Sequence, residues 1–317
     1  MRVSVALCTH QGEAYVEQQL RSILAQTRPV DEIVVGDDAS TDATLAIVER
    51  VAAGTDVPFA IVRHAPALGV AANFADAIRR STGDVVALSD QDDVWHPDRI
   101  ARMLPALEGV ALAHSDARLV DRDGSPLGAT LLDALGASAW ERERMTSGGA
   151  LDALLRRNLV TGATVVVRRD AALAALPVPE GWIHDEWIAM TCALGGGVRL
   201  LAEPTIDYRQ HGANQIGVRR LTLRGRLARL VEPDSGSHAR KALRARSLAR
   251  EAAARGLGTQ EQRRALAEKA THEARRAALP DARVARVPAV LRGLAAGRYG
   301  RYSRGALDVA RDLLERH

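Results

Sequence analysis

Residues 85–95 read Val-Val-Ala-Leu-Ser-Asp-Gln-Asp-Asp-Val-Trp. The apolar run Val85 to Leu88 reads as a buried strand, and Asp90, Asp92 and Asp93 crowd together just past its carboxyl end. Carboxylates that close repel one another unless a cation or solvent relieves them. Hard carboxylate oxygens suit Mg²⁺ or Mn²⁺, ions that commonly bridge one or two carboxylates to phosphate oxygens. A solvated acidic turn is the plain alternative, but the apolar strand before the cluster and Trp95 after it count against that.

Working back toward the N-terminus, Val3 to Leu7, Glu32 to Val35 and Phe59 to Val62 also read as strands, and Val110 to Ala113 follows as a fifth. Between them run amphipathic stretches. Val16, Leu20, Ile23 and Leu24 recur at helical spacing before Pro29. Leu45, Ile47, Val48 and Val51 do the same after a cap at Ser40 or Thr41, as do Phe74, Ala75 and Ile78 before Gly83. Strand–helix alternation predicts an α/β fold with a parallel-type sheet covered on both faces. Such sheets bind ligands beyond the carboxyl ends of their strands. Both acidic clusters, Asp37-Asp38 and Asp90 to Asp93, fall at those ends. A carboxylate there, such as Asp38, can accept hydrogen bonds from a nucleobase N–H or from ribose hydroxyls.

The chain has 317 residues, 47% of them hydrophobic and only 3% aromatic, enough for one large domain with an appendage. Its net charge of +4 hides an asymmetry: residues 1–217 carry 19 Lys or Arg against 29 Asp or Glu, whereas residues 218–317 carry 24 against 10. The expected division is therefore a domain over 1–217 and a basic helical region over 218–317. Cys8 and Cys192 stand in apolar runs without metal-ligand spacing, as expected of reduced thiols in a cytoplasmic protein. Met1-Arg2 and the short run after it do not read as a signal peptide, and no stretch reaches the length of a membrane span. No P-loop or G-x-G-x-x-G is present. The scarcity of aromatics leaves few stacking platforms, which argues against nucleic acid as a partner.

Val3-Ser-Val-Ala-Leu-Cys-Thr-His-Gln11, Asp37-Asp-Ala-Ser-Thr-Asp42, Ala87-Leu-Ser-Asp-Gln-Asp-Asp-Val-Trp-His-Pro-Asp-Arg-Ile100 and Tyr208-Arg-Gln-His-Gly-Ala-Asn-Gln-Ile-Gly217 stand in this order. Together they resemble the family 2 glycosyltransferases, inverting enzymes of the GT-A fold, and among these the bacterial rhamnosyltransferase-like members. The resemblance implies a nucleotide-diphosphate sugar donor, a glycan or lipid-linked saccharide acceptor, and a role in making cell-surface polysaccharide. It implies that Thr9 and Asp38 line the nucleoside pocket, and that Asp90 and Asp92 form the D-x-D pair, with Asp92 on the metal. It also implies that Asp93 holds the sugar or its neighbours, and that Arg209 or His211 contacts phosphate or metal. His10-Gln11 replaces the Asn usual in the first loop.

By the same resemblance Gly181-Trp-Ile-His-Asp-Glu-Trp187 carries the catalytic base at Asp185, although family members often show Glu-Asp where this chain has His184-Asp185. A base must take the acceptor hydroxyl proton as it attacks the anomeric carbon, and a carboxylate among apolar neighbours is strengthened for that. Glu186 is the rival base, and a helix N-cap is the structural alternative for Asp185. Asp116, Gly162 and Trp182 are assigned to the acceptor side.

In the tail, Leu221, Leu223, Leu227 and Leu230 lie among Arg219, Arg220, Arg224, Arg226 and Arg229. Such a segment either rests on an anionic membrane at the inner face of the plasma membrane or packs as an accessory helix. Two other functions fit the sequence less well. A sugar nucleotidyltransferase needs a Gly-rich basic first loop, which Cys8-Thr-His-Gln-Gly-Glu13 is not. A catalytically inactive scaffold would not require Asp38, Asp92 and Asp185 together.

Overall fold

A computed structural model describes residues 1–211 and 237–315. The leucine–arginine run from Arg219 to Leu230 and the end of the fourth motif from Gly212 to Gly217 lie outside the described residues. The chain divides into two compact units. One is Met1–Ala150 with Leu159–Val218, the other Leu151–Asn158 with Arg219–His317. Leu151–Asn158, assigned to the first domain by its position in sequence, thus falls in the second unit.

In the first unit the strands β1 (Val3–Thr9), β2 (Glu32–Asp37), β3 (Phe59–Arg63) and β4 (Val85–Asp90) alternate with helices α1 (Val16–Leu24), α2 (Thr44–Ala52) and α3 (Val70–Arg80). After β5 (Val94–Trp95) come α4 (Arg99–Ala106), β6 (Leu112–Val120), β7 (Pro126–Thr130), α5 (Leu131–Ala134), α6 (Ala139–Thr146) and α7 (Ala150–Leu154), which apart from Ala150 belongs to the second unit. Then follow β8 (Val165–Arg168), α8 (Arg169–Ala175), α9 (His184–Gly195) and β9 (Val198–Arg209).

The described strands make one sheet in the order β3-β2-β1-β4-β8-β6-β9-β5, with β7 pairing β6. β1, β2, β3 and β4 are mutually parallel, as the alternation predicts. The rest is mixed. β8 runs antiparallel to both β4 and β6, β5 runs antiparallel to β9, and β6 and β9 are parallel. The expectation of a parallel-type sheet therefore holds for β1 to β4 and is corrected for the rest. There Val165–Arg168 returns between two strands instead of extending the βαβ series.

All seven residues of β1 are buried, as befits a central strand covered on both faces. Val16, Leu20 and Ile23 of α1, Val48 of α2, and Phe74 and Ile78 of α3 are fully buried, so the helical faces read from spacing are the packed ones. The capping of α2 differs from expectation. That helix starts at Thr44, and Ser40 and Thr41 lie too far upstream to cap it. Asp42 instead accepts the Thr44 N–H at 3.0 Å, while the Ser40 hydroxyl receives the Gln11 N–H at 3.0 Å.

The second unit is helical: α10 (Ser237–Ala254), α11 (Gln260–Ala277), α12 (Arg283–Ala295), α13 (Arg298–Tyr302) and α14 (Ala306–Leu314). α10 packs on α11, and α12 on α14. Its interior is unusually polar. Buried Arg276 makes a two-pronged pair with Asp312 at 2.8 and 2.7 Å, and His238 lies 2.9 Å from Glu315. Among the described residues no helix is long and apolar enough to cross a membrane.

Candidate active site

The order β3-β2-β1-β4 sets Thr9 beside Asp37 and Cys8 beside Asp90 at the carboxyl ends of adjacent strands. The crevice of such sheets lies where successive strands run off to opposite sides. The Thr9 hydroxyl donates to Asp37 Oδ1 at 2.8 Å, and Asp37 Oδ2 accepts the Ser40 N–H at 3.0 Å. Asp38 turns the other way, accepting the N–H groups of Leu68 and Gly69 and so fixing the loop between β3 and α3. A carboxylate oxygen has more than one lone pair, so these bonds leave Asp38 able to accept from a nucleobase.

Sequence reasoning missed what ties this loop to the acidic motif. The His10 N–H donates to Gln91 Oε1, and Gln91 Nε2 donates back to the His10 carbonyl, both at 2.9 Å. Gln91, the unassigned middle of Asp90-Gln91-Asp92, thus locks the end of β1 to the end of β4. The signal lay in its residue type, since an amide offers donor and acceptor together.

The acidic residues sit in distinct settings. Burial, then Asp92 and Asp185, push the Asp90 carboxyl up to about 7. Asp93 is 1% exposed and held well above the usual carboxylate range by burial, then by Asp92 and Asp90. Its Oδ1 accepts the Arg209 N–H at 3.1 Å, and its Oδ2 is buried without a partner among the described residues. Asp92 Oδ2 lies 2.8 Å from His211 Nε2, and that ring stacks on Tyr15 with centroids 5.0 Å apart.

Arg209 is 2% exposed. Its guanidinium donates to the carbonyls of Asp92 and Arg122 and to Gln18 Oε1, each at 2.8 Å, and lies over Tyr15. It therefore braces the Asp92 backbone rather than standing open toward a phosphate.

Across the site, Asp185 occupies the first turn of α9, inside the helix and not at its cap, which is Ile183. Its Oδ2 accepts the Gly162 N–H at 2.9 Å, and its Oδ1 the Glu186 N–H at 2.6 Å. Gly162 is needed for the closeness: a Cβ there would come within 2.9 Å of His184 Nε2. His184 stacks on Phe74 at 4.0 Å, and burial pushes its pKa down to about 3, so the imidazole next to Asp185 is neutral. Trp182 is 8% exposed and meets Trp187 edge-on at 5.2 Å.

Asp116 departs from the acceptor-side expectation. It is 2% exposed, and Oδ1 accepts the N–H groups of Ala117 and Leu132, while Oδ2 lies 3.6 Å from Arg142. It anchors the start of α5 rather than facing a cavity. Arg99, also missed, is fully buried over Trp95 and donates to Thr205 Oγ1 at 2.8 Å and to the Ala163 carbonyl at 3.0 Å. It thereby holds the turn that presents Gly162 to Asp185.

A crowded acidic motif lies at the end of β4, and Asp185 is held by a turn packed on the same strand; residues 4–166 match the family model "Glycosyl transferase family 2". The chain belongs to that family. An uncharacterized protein of Mycobacterium tuberculosis is 28% identical to this chain over 224 residues, 66% of this chain and 59% of that protein, so the match spans little more than half of the relative. The dTDP-rhamnosyl transferase RfbG of Shigella flexneri is 32% identical over 108 residues, 32% of this chain and 36% of RfbG. In fold, the chain resembles S. aureus TarS in complex with UDP, with a TM-score of 0.54 and 18% identity over 98% of this chain and 89% of that one. It resembles equally the mannosyltransferase PcManGT from Pyrobaculum calidifontis in complex with GDP-Man and Mn²⁺, with a TM-score of 0.54 and 20% identity over 98% of this chain and 84% of that one. The fold is GT-A.

Proposed function

We propose that this glycosyltransferase moves a sugar, with inversion, from a nucleoside-diphosphate donor to a hydroxyl of a glycan or lipid-linked saccharide in cell-surface polysaccharide synthesis. The observation that supports the reading is the crowded acidic motif at the end of β4 together with Asp185, whose carboxylate accepts the Gly162 N–H at 2.9 Å from a turn packed against β4. RfbG makes dTDP-rhamnose the first donor to try.

In this reading Thr9 and Asp38 bind the nucleoside. Asp92, with Asp90 or His211, would hold Mg²⁺ or Mn²⁺. The donor set fits such an ion, because the carboxylates are oxygen ligands whose repulsion a cation relieves. Among the described residues no group of three or more His, Cys, Asp and Glu side chains is placed to hold a metal ion, so one or two carboxylates would hold it and the rest of its shell would come from the donor and water. When bound, the ion offsets the charge that develops on the diphosphate leaving group. Asp185 takes the acceptor proton, and the Gly162 N–H keeps its carboxylate aimed. Gly162 and Trp182 border the acceptor.

The test is a thermal-shift panel of nucleotide sugars with and without Mn²⁺, followed by transfer to a glycan acceptor and assignment of the product anomer. Stabilisation by one nucleotide family and an inverted product support the reading. A protein that neither binds nor hydrolyses any nucleotide sugar is not this enzyme.

A further inference from the structure

His184 opens α9 one residue before Asp185, and the proposed reaction gives it no task. It is 5% exposed, and both ring nitrogens are closed off from solvent without a partner among the described residues. Packing alone therefore holds the ring. One face lies on Phe74, with centroids 4.0 Å apart and planes 14° from parallel. Nε2 lies against Gly162, so close that a Cβ there would come within 2.9 Å of it. The Gly162 N–H in turn donates to Asp185 Oδ2 at 2.9 Å. The imidazole is thus clamped between Phe74 and the glycine that aims the carboxylate.

Phe74 is itself a fixed platform. Its neighbour Asn73 is buried and donates Nδ2 to the Gly36 carbonyl near the end of β2, at 2.8 Å. A Cβ on Gly36 would overlap Asn73 Oδ1, so the helix sits tight on that strand end. Gly69, the residue before α3, donates its N–H to Asp38 Oδ2 at 2.9 Å. The first turns of α3 are therefore tied to the same strand end that carries Asp38. Enclosed nitrogens keep the His184 ring from touching a sugar, so any effect it has on transfer passes through its neighbours. Burial pushes its pKa down to about 3, and a neutral ring forms no ion pair that would weaken Asp185 as a base.

We propose that His184 is a positioning residue: clamped between Phe74 and Gly162, it registers the Asp185 carboxylate against the strand end that carries Asp38. The inference rests on the reading of Asp185 as the base. It adds that this base is aligned from the donor side of the sheet, through α3 and a stacked ring. Reacting groups must be held within a fraction of an ångström, and packed neighbours on rigid elements do the holding.

The experiment compares His184→Leu, His184→Phe and Phe74→Leu in the full chain. Leucine keeps apolar volume and sheds two unpaired nitrogens, so the thermal midpoint of His184→Leu should hold. It lacks the flat face, and kcat should fall roughly 10- to 100-fold, the cost of misplacing a reacting group by up to about 1 Å. Nucleoside-diphosphate affinity by isothermal titration, and both KM values, should stay within about twofold, since neither substrate loses a contact. His184→Phe restores the stacked ring and should recover most of the rate. Phe74→Leu should reproduce the loss.

A full kcat in His184→Leu would mean that the stack aims nothing. A His184→Phe as slow as His184→Leu would mean that a ring nitrogen serves the substrate. Either result overturns the inference, and a dead Asp185→Asn beside it leaves the base reading standing. An active Asp185→Asn overturns the base reading, and the inference with it.

Discussion

Asp92 Oδ2 and His211 Nε2 meet at 2.8 Å although 119 positions separate them. The pair joins the acidic motif to the end of β9, and Tyr15 stacked beneath His211 keeps it in place. Asp92→Asn should keep the fold, because both residues of the pair are partly exposed, yet cut turnover by orders of magnitude through loss of a ligand charge. EDTA should do the same to the wild type, with recovery on adding Mn²⁺. Transfer assays on both, with circular dichroism as the fold control, check this; transfer unchanged by either treatment removes the metal from the mechanism.

Asp185→Asn should abolish transfer while leaving nucleoside-diphosphate affinity within about twofold, because the carboxylate acts on the acceptor proton and not on the donor. Isothermal titration with the nucleotide and a transfer assay separate the two effects. Glu186→Gln should retain most activity. A dead Glu186→Gln beside an active Asp185→Asn would move the base to Glu186.

Gly162→Ala probes the aim of that base. The added methyl would press on His184 Nε2 at 2.9 Å and on Asp185 Cβ at 3.5 Å. If Asp185 is the base, a displacement of its carboxylate near 1 Å costs on the order of 100-fold. The expectation is a fall in kcat of that size with the donor KM nearly unchanged. A rise in donor KM with kcat preserved would instead place Gly162 on the donor side.

Much of this site was legible because its signals are local. The run Val85 to Leu88 followed by acids marks a strand end in any context, and the parallel neighbours β1, β2 and β4 follow from alternation. The other half of the sheet was not legible. Val165–Arg168 is a short apolar run that periodicity alone cannot orient, and its antiparallel place between β4 and β6 depends on pairing across more than fifty residues. Asp116 and Arg209 carried the residue types of ligand contacts, but burial assigns their polar atoms to internal partners. Arg99 hid for the opposite reason, since arginine is rarely fully buried and only the fold shows what it holds.

Acid should loosen the first unit in a window set by two imidazoles. His114 and His184 are buried, their ring nitrogens lack partners among the described residues, and burial lowers both from 6.5 to about 3. The unfolded chain then binds protons that the folded one refuses. Their stabilising contribution is complete above pH 6.5 and is lost as pH falls from there toward 3. At pH 5 each imidazole removes on the order of 2 kcal/mol. Urea unfolding at pH 7 and pH 5 should show this loss. His114→Leu, which substitutes an apolar side chain where no hydrogen bond is given up, should keep the pH 7 stability within about 1 kcal/mol and shrink the drop at pH 5 by about 2 kcal/mol. A pH 7 to pH 5 difference identical in wild type and His114→Leu would mean that His114 finds a proton-bound state inside the fold. The neutral imidazole assigned there would then be wrong.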